Sequence, residues 1–242
     1  MLLRSILDFI LPRYCPVCKG RLRVEEKAVC KKCLADLPRT RQWLQARRED
    51  GVGVKSFEEG RFPRLFWTRL PELTRAIAFL KFRPKSEIAE IVYDFKYRNM
   101  KNTAVEMGRL AAEEISPSGF FDGIDVLVPV PLTKSRFRQR GYNQSERLAQ
   151  GISLHTGIPV ETHYIIRKAF TKSQTSLSKI DRPDNVMDAF CLGKKGREMR
   201  GKHILIVDDI VTTGATTAAC ARVVLLEPDT KVSIFAFGHT SH

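Results

Sequence analysis

Long apolar runs are missing from this chain of 242 residues. The opening MLLRSILDFILP places apolar residues at Leu2, Leu3, Ile6, Phe9 and Ile10, but Arg4 and Asp8 interrupt them. The stretch falls well short of the roughly 20 apolar residues that cross a membrane. A short amphipathic helix is expected there, with no membrane span. Asp8 inside the apolar stretch and the lack of a small-residue cleavage site argue against a signal peptide, so a cytoplasmic location is expected. Glycine (15) and proline (12) are too sparse for a collagen-like or low-complexity chain, and aromatics at 9% are not enriched. Acid is scarce beside base: 27 Asp+Glu face 41 Lys+Arg, a formal charge of +14. That excess points to phosphates, nucleic acid or an anionic surface among the partners. Hydrophobic residues at 43% suffice for a core, and the length suits one substantial domain with an accessory piece.

Cysteine is also limited, at six residues, but four of them are patterned. Cys15, Cys18, Cys30 and Cys33 form C-x2-C-x11-C-x2-C. A reducing compartment disfavours a disulfide framework. Each C-x2-C pair is a tight turn that directs two thiolates at one ion, and two such knuckles complete the tetrahedral S4 shell of Zn²⁺. A closed shell has no open position for water, so a single structural zinc is expected. An iron–sulfur cluster is the alternative for the same ligands, and four unrelated cysteines the plain one. Lys19, Lys27, Lys31 and Lys32 lie among the ligands and would offset thiolate charge. Cys191 and Cys220 stand alone in apolar surroundings and read as small buried hydrophobes.

The pattern divides the chain into an N-terminal helix and four-cysteine element (1–40), a connector (41–74) and an α/β domain (75–242). Residues 38–72 mix charge, Gly and Pro without a sustained period, with a short helix around Trp43. AIAFLKF reads as a strand. SEIAEIVYDFKY spaces Ile88, Ile91, Val92 and Phe95 as an amphipathic helix, and AVEMGRLAAEEI is a second helix. IDVLVPV is a buried parallel strand, GYNQSERLAQGISLHT a helix and VETHYIIRK a strand, followed by a polar stretch at 168–187. HILIVDD is another buried strand, TGATTAACARVVLL a helix and KVSIFAF a closing strand. Strands alternating with helices predict a mostly parallel sheet whose ligand sits beyond the strand carboxyl ends.

ILIVDDIVTTGAT, Ile204 to Thr216, is the most informative segment. Four apolar residues run into Asp208 and Asp209, and a hydroxyl- and glycine-containing turn then opens a helix. Such a turn offers backbone N–H groups, the positive end of a helix dipole and the hydroxyls of Thr212, Thr213 and Thr216 to an anion. Two carboxylates beside a phosphate repel it unless they bind sugar hydroxyls or organise a divalent ion, and a phosphorylated sugar satisfies both halves. The segment lacks the Gly-Lys-Ser/Thr ending of a Walker loop and the spaced glycines of a dinucleotide fingerprint. An Asp-Asp turn that merely caps a helix is the plain alternative.

The same segment resembles the 5-phosphoribosyl 1-pyrophosphate (PRPP) motif of type I phosphoribosyltransferases. With the four-cysteine element, VPVPL at 128–132, RGYNQ at 140–144, and Gln174, Arg182 and Asn185 in SQTSLSKIDRPDNV, the chain resembles the ComF family over nearly its whole length. The resemblance implies a type I phosphoribosyltransferase fold, a mostly parallel sheet flanked by helices with a small hood, preceded by a zinc element. It implies natural competence and the handling of single-stranded DNA, with competence-machinery proteins as possible partners. By the same resemblance Asp208 and Asp209 would contact the ribose hydroxyls, and Thr212, Thr213, Gly214, Ala215 and Thr216 the 5′-phosphate. Val130, Pro131 and Leu132 would form the pyrophosphate loop, with Mg²⁺ accompanying PRPP. Lys134, Arg136, Arg138 and Arg140 in KSRFRQR, read as a basic loop, would contact pyrophosphate or nucleic acid, with Phe137 and Tyr142 available for stacking; a solvated basic loop is the plain reading.

The resemblance has limits that sharpen it. Purine-salvage members carry an acid where this chain has Thr212, and the glutamine-dependent members need a cysteine-nucleophile domain for which there is no room. Longer ComF-like chains add a second pair of C-x2-C knuckles, while residues 34–75 hold no cysteine. Acceptor choice would lie in a variable hood, expected at 75–120 and 168–190. The leading expectation is a protein that binds PRPP and single-stranded DNA in DNA uptake. The second is an active phosphoribosyltransferase with an unidentified acceptor, and the third a sensing module without turnover.

Overall fold

A computed structural model describes residues 12–44, 61–86, 89–97, 100–168 and 189–240. The helix expected over the first ten residues, together with Gln174, Arg182 and Asn185, lies outside the described residues. In chain order the elements are α1 (Lys31–Ala35), α2 (Arg61–Trp67), β1 (Leu73–Phe82), α3 (Ala89–Tyr97), α4 (Lys101–Ile115), β2 (Val126–Pro129), α5 (Lys134–Arg140), α6 (Gln144–Thr156), β3 (Ile165–Arg167), β4 (Phe190–Leu192), β5 (His203–Val211), α7 (Ala215–Val224) and β6 (Lys231–Thr240). The short turn expected near Trp43 is a 3-10 helix at Gln42–Leu44.

The apolar runs in the sequence become a four-stranded sheet in the order β1-β6-β5-β2, parallel throughout. A strand covered on both faces needs apolar residues at odd and even positions alike, which is why these runs do not alternate. Leu205 and Val207 join Ile77, Phe79, Phe235 and Phe237 on one face, where α4 and α6 supply Met107, Ala111, Leu148 and Ile152. Ile204 and Ile206 join Ala76, Ala78, Ile234 and Ala236 on the other, where α2 and α7 supply Phe66, Ala218 and Cys220. Helices α4 and α6 approach so closely that a Cβ on Gly151 would run into the backbone carbonyl of Val105.

The cysteine element is continuous with the first face. Cys15, Leu22, Val29, Cys33, Leu37 and Trp43 share one buried cluster with Phe79 and Met107. After the element the chain pairs antiparallel with β1 at Arg39 and Leu80. Thr40 donates its N–H to Phe79 O at 2.9 Å, Lys81 its N–H to Pro38 O at 2.8 Å, and Trp43 stacks on Phe79 with centroids 5.4 Å apart. This covers an edge of the sheet that would otherwise offer unpaired backbone.

Several expectations change. Residues 61–70, read as connector, contain α2, whose Phe62, Phe66 and Leu70 are buried in the second face. VETHYIIRK yields a strand only at Ile165–Arg167, antiparallel to Phe190–Leu192 in DAFCL, a strand with no signal in the sequence. These two strands form the small second sheet. Residues 75–120 are not hood: they make β1 in the main sheet and α3 and α4 beside it. Cys191, expected to be buried, is half-exposed on β4, while Cys220 is fully buried. No helix among the described residues is long and apolar enough to cross a membrane.

Candidate functional site

The sheet places its chemistry at a point where the chain changes direction. After β2 the chain crosses to the face carrying α6, and after β5 to the face carrying α7. β2 and β5 are hydrogen-bonded neighbours, Pro129 opposite Val207. A crevice therefore opens between their carboxyl ends, the position where parallel α/β sheets bind ligands. Asp208, Asp209 and the turn at 212–216 lie on one side, and Val130, Pro131 and Leu132 on the other. Val130 donates its N–H to Val207 O at 2.9 Å, so the Val130–Leu132 turn begins beside the strand residue that precedes Asp208.

Asp208 is buried. Its Oδ2 accepts from Thr217 Oγ1 at 2.7 Å, and its Oδ1 accepts from Ser145 Oγ at 3.4 Å and from Asp209 N at 2.9 Å. Asp209 is half-exposed, and its Oδ1 accepts from Ile210 N at 2.7 Å. Thr212 and Thr213 are exposed. Gly214 caps α7 at φ +74, where a Cβ would also meet the Phe66 ring at 2.9 Å. Glycine is thus required there twice, by the left-handed backbone and by α2 beneath the turn.

The RGYNQ segment fastens the two sides. Asn143 Nδ2 donates to Val130 O at 3.0 Å, while Asn143 Oδ1 accepts from Ser145 N at 3.1 Å and so caps α6. Ser145 then reaches Asp208. Ser145 and Thr217 carry no signal in the sequence, and Asn143 stands out only within RGYNQ, although Asn143 with Glu146 three residues on has a helix-capping spacing. Arg69 had no sequence signal. Its Nη1 donates to Thr213 O at 2.7 Å, and Arg222 Nη2 donates to Arg69 O at 3.1 Å.

KSRFRQR is a helix and not a loop. Thr133 Oγ1 accepts from Arg136 N at 3.2 Å at its start, and Gly141, at φ +74, donates to Phe137 O at 2.8 Å at its end. Between them Lys134, Arg136, Arg138, Gln139 and Arg140 are good helix formers. Lys134, Arg136, Arg138 and Phe137 are exposed beside the Val130–Leu132 turn, whereas Arg140 is half-buried and donates to Gln144 Oε1 at 2.8 Å. Tyr142 is buried, with Lys101 Nζ 5.5 Å from its ring centroid, and is not available to stack on a base.

The four cysteines come together as one centre. Their Sγ atoms lie within 4.8 Å of one another, and Cys18 Sγ is 3.7 Å from Cys30 Sγ. A tetrahedral zinc with bonds of roughly 2.3 Å separates its sulfurs by roughly 3.8 Å, so the donor set fits. Backbone N–H groups of Cys30 and Cys33 donate to Cys15 Sγ and Cys30 Sγ, both at 3.5 Å. The N–H of Gly20, then the thiols of Cys33 and Cys30, pull the Cys18 thiol down to about 7, and burial pushes that of Cys33 up. Glu26, unnoticed in the sequence, spans the element: its carboxylate accepts from Arg23 N and Lys31 N, each at 2.7 Å. Its backbone carbonyl accepts from Arg13 Nη1 at 2.7 Å. Of the knuckle lysines, Lys19 pairs with Glu90 at 3.1 Å and Lys27 with Glu106 at 3.6 Å, fastening the element to α3 and α4. A groove of about 200 Å³ follows this seam, lined in part by Ala28, Leu34 and Met107.

Known proteins resemble the chain along most of its length. It is 30% identical to the DNA utilization protein YhgH of Salmonella typhimurium over 173 residues, covering 70% of this chain and 74% of that protein. It is 27% identical to the competence protein ComFC of Bacillus subtilis over 234 residues, covering 97% of this chain and 80% of that one. Among solved structures, a purine phosphoribosyltransferase from Pyrococcus horikoshii Ot3 aligns with 57% of this chain and 84% of its own at 16% identity. The TM-score of that alignment is 0.34. No protein-family model matches.

Proposed function

The chain belongs to the ComF family, that of the DNA utilization protein YhgH and the competence protein ComFC, and from that premise we propose that it acts in DNA uptake by binding PRPP, or a similar sugar phosphate, and single-stranded DNA. The observation that carries the first half is that the Asp208–Thr216 segment and the Val130–Leu132 turn leave the adjacent ends of β5 and β2 and are tied through Asn143 and Ser145. Thr212, Thr213, Gly214, Ala215 and Thr216 would hold the 5′-phosphate with hydroxyls and the first N–H groups of α7, which have no partner within the helix. Asp209, half-exposed, would take the ribose hydroxyls. Asp208, already engaged by Thr217 and Ser145, would share that contact while fixing the turn. Val130, Pro131 and Leu132 would face the diphosphate, with Mg²⁺ expected beside it as counter-ion. Zn²⁺ is the proposed occupant of the cysteine centre, where it would hold the knuckle together.

The DNA half rests on family membership and on α5, where Lys134, Arg136 and Arg138 flank the exposed ring of Phe137. Basic side chains that track phosphates and an aromatic face that stacks on a base are the parts a single-strand site needs. Calorimetry with PRPP and Mg²⁺ tests the pocket. Wild type should bind, and Asp209→Asn should weaken binding by roughly tenfold, the scale of one lost charge-assisted contact. No heat with wild type would end that half of the proposal. Fluorescence anisotropy with a labelled oligonucleotide tests the other half, with affinity expected to fall steeply as salt rises. Absence of binding at low ionic strength would end it.

A second reading is turnover: transfer of the phosphoribosyl group to an acceptor with release of pyrophosphate. Completeness of the Asp208–Thr216 segment favours it, while Thr212 at the position of the purine enzymes' acid argues against a purine base as acceptor. Pyrophosphate release with candidate amines, bases and DNA ends separates this reading from binding alone.

A further inference from the structure

Helix α2 turns one side to the sheet and the other to solvent. Phe62, Phe66 and Leu70 recur every four residues and are buried in the second face, with the Phe66 ring against Gly214. Arg64 and Trp67, three residues apart, are therefore neighbours on the outer side, and both are exposed. The Trp67 side chain is 40% exposed and stacks on no other ring among the described residues. An indole left in water forgoes the burial that the two phenylalanines of the same helix obtain.

Two more arginines are anchored at the end of α2. Arg69, two residues beyond Trp67, donates Nη1 to Thr213 O at 2.7 Å. Arg222, exposed on α7, donates Nε and Nη2 to Arg69 O at 3.2 and 3.1 Å, which lays its guanidinium against the backbone next to Trp67. These acceptors are backbone carbonyls, so neither guanidinium is neutralised. No ion pair joins Arg64, Arg69 or Arg222 to a carboxylate among the described residues, Glu72 and Glu227 included. Three uncompensated cations on one short stretch of surface attract a polyanion. Because two of them are already held by carbonyls, less side-chain freedom is lost when the anion arrives.

An aromatic face among cations suits a single strand, whose bases stack while its phosphates follow the arginines. A bilayer surface takes several apolar side chains from one helix face, and α2 offers one ring because its phenylalanines are buried. We propose that Trp67, with Arg64, Arg69 and Arg222, forms a second contact surface for single-stranded DNA, additional to α5. A base stacks on the indole, and the flanking phosphates meet the guanidiniums. The inference rests on the reading of the chain as a single-strand binder and adds a surface on the α2–α7 side of the sheet.

The chain has two tryptophans, and Trp43 is buried on Phe79, so a change in tryptophan emission on binding reports Trp67. Full-length protein is titrated with an oligothymidylate by emission and, with a fluorescein label on the strand, by anisotropy. Trp67→Ala, Trp67→Phe, Arg64→Gln and the α5 variant Arg138→Gln are compared after a check for unchanged circular dichroism and melting temperature. The strand should quench wild-type emission and shield it from acrylamide. Trp67→Ala should weaken binding by roughly tenfold, the scale of one stacked base, and Trp67→Phe should recover most of that loss. Arg64→Gln should make the slope of log affinity against log salt shallower by about 0.7, one phosphate contact on a single strand. Unchanged emission together with wild-type affinity in Trp67→Ala, while Arg138→Gln weakens binding, would overturn this surface and leave the DNA reading on α5. Weakened binding in Trp67→Ala with wild-type affinity in Arg138→Gln would keep this surface and remove α5 from the account. A wild type that binds no strand at low ionic strength would overturn the DNA reading and this surface with it. Emission that shifts to the blue with phosphatidylserine vesicles and does not respond to the strand would make the patch a membrane contact and overturn the proposal.

Discussion

The cysteine knuckle and the β2–β5 crevice hold their chemistry in place by opposite means. At the crevice the functional turns are extensions of buried strands: Val207 and Val128 are almost fully buried, and Asp208 follows directly. Side chains there inherit their positions from a packed sheet, and a few hydrogen bonds through Asn143, Ser145 and Thr217 refine them. The knuckle has only a handful of buried apolar residues and is ordered by thiols, the Glu26 carboxylate and ion pairs to α3 and α4. A scaffold of the first kind tolerates loss of its ligand; one of the second kind does not.

The largest effect that could break this contrast is metal removal. A strong chelator, or Cys15→Ser with Cys33→Ser, should release residues 13–37 to rapid hydrogen exchange and remove metal by elemental analysis. Because structural zinc contributes on the order of 10 kcal/mol to small sites, the melting temperature should fall steeply. Retention of exchange protection in the knuckle after complete chelation would sink the distinction.

Next in size is Gly214→Ala on the crevice side. A left-handed backbone and a Cβ 2.9 Å from Phe66 should together cost roughly 3 kcal/mol. Urea unfolding measures it, and Phe66→Leu in the same chain should recover part of the loss. A cost below about 0.5 kcal/mol, the range of ordinary surface changes, would mean that α2 does not brace the turn.

Acid should act on the sheet through His203, which is buried at the start of β5 with Nε2 2.8 Å from Ser233 Oγ. Burial first, then the charge of Arg75, lowers its pKa to about 4. The unfolded chain, with histidine near its ordinary value, takes the proton more readily. The contribution is therefore complete above about pH 6.5 and is lost as pH falls toward 4, up to roughly 2–3 kcal/mol. His203→Gln should flatten the stability profile over that window; an unchanged slope would remove His203 from the account.

The smallest effect concerns how the knuckle is fastened. Arg39 Nε and Nη2 donate to Glu114 Oε2 and Oε1 at 2.6 and 2.7 Å, and Nη1 donates to Leu34 O at 2.9 Å. A double-mutant cycle with Arg39→Ala and Glu114→Ala should give a coupling of about 1 kcal/mol. Zero coupling would show that the apolar seam alone docks the element.

Legibility in the sequence followed the same division. β2, β5 and β6 were readable because doubly covered parallel strands leave continuous apolar runs, and Asp208 to Thr216 because an acid pair and a hydroxyl turn at a strand end are chemically distinctive. The cysteine centre was readable from spacing alone. α2 was not, since Phe62 and Phe66 lie among Arg, Gly and Pro and acquire meaning only against the second face of the sheet, and Phe66 against Gly214. β4 is too short to impose a period. The helix at Lys134–Arg140 reads as a loop in the sequence because its signals, Thr133 and Gly141, are single residues flanking a run of charge. Arg69 works through a distant partner, which no local pattern encodes.

β6 follows every other strand in the sequence yet lies inside the sheet, bonded to β1 on one side and β5 on the other. During synthesis, β1 and the knuckle fastened to it therefore emerge long before the strand that joins them to the crevice. Until residues 231–240 leave the ribosome β1 has no strand partner on the crevice side, and the sheet that spans both regions is completed only by that last insertion.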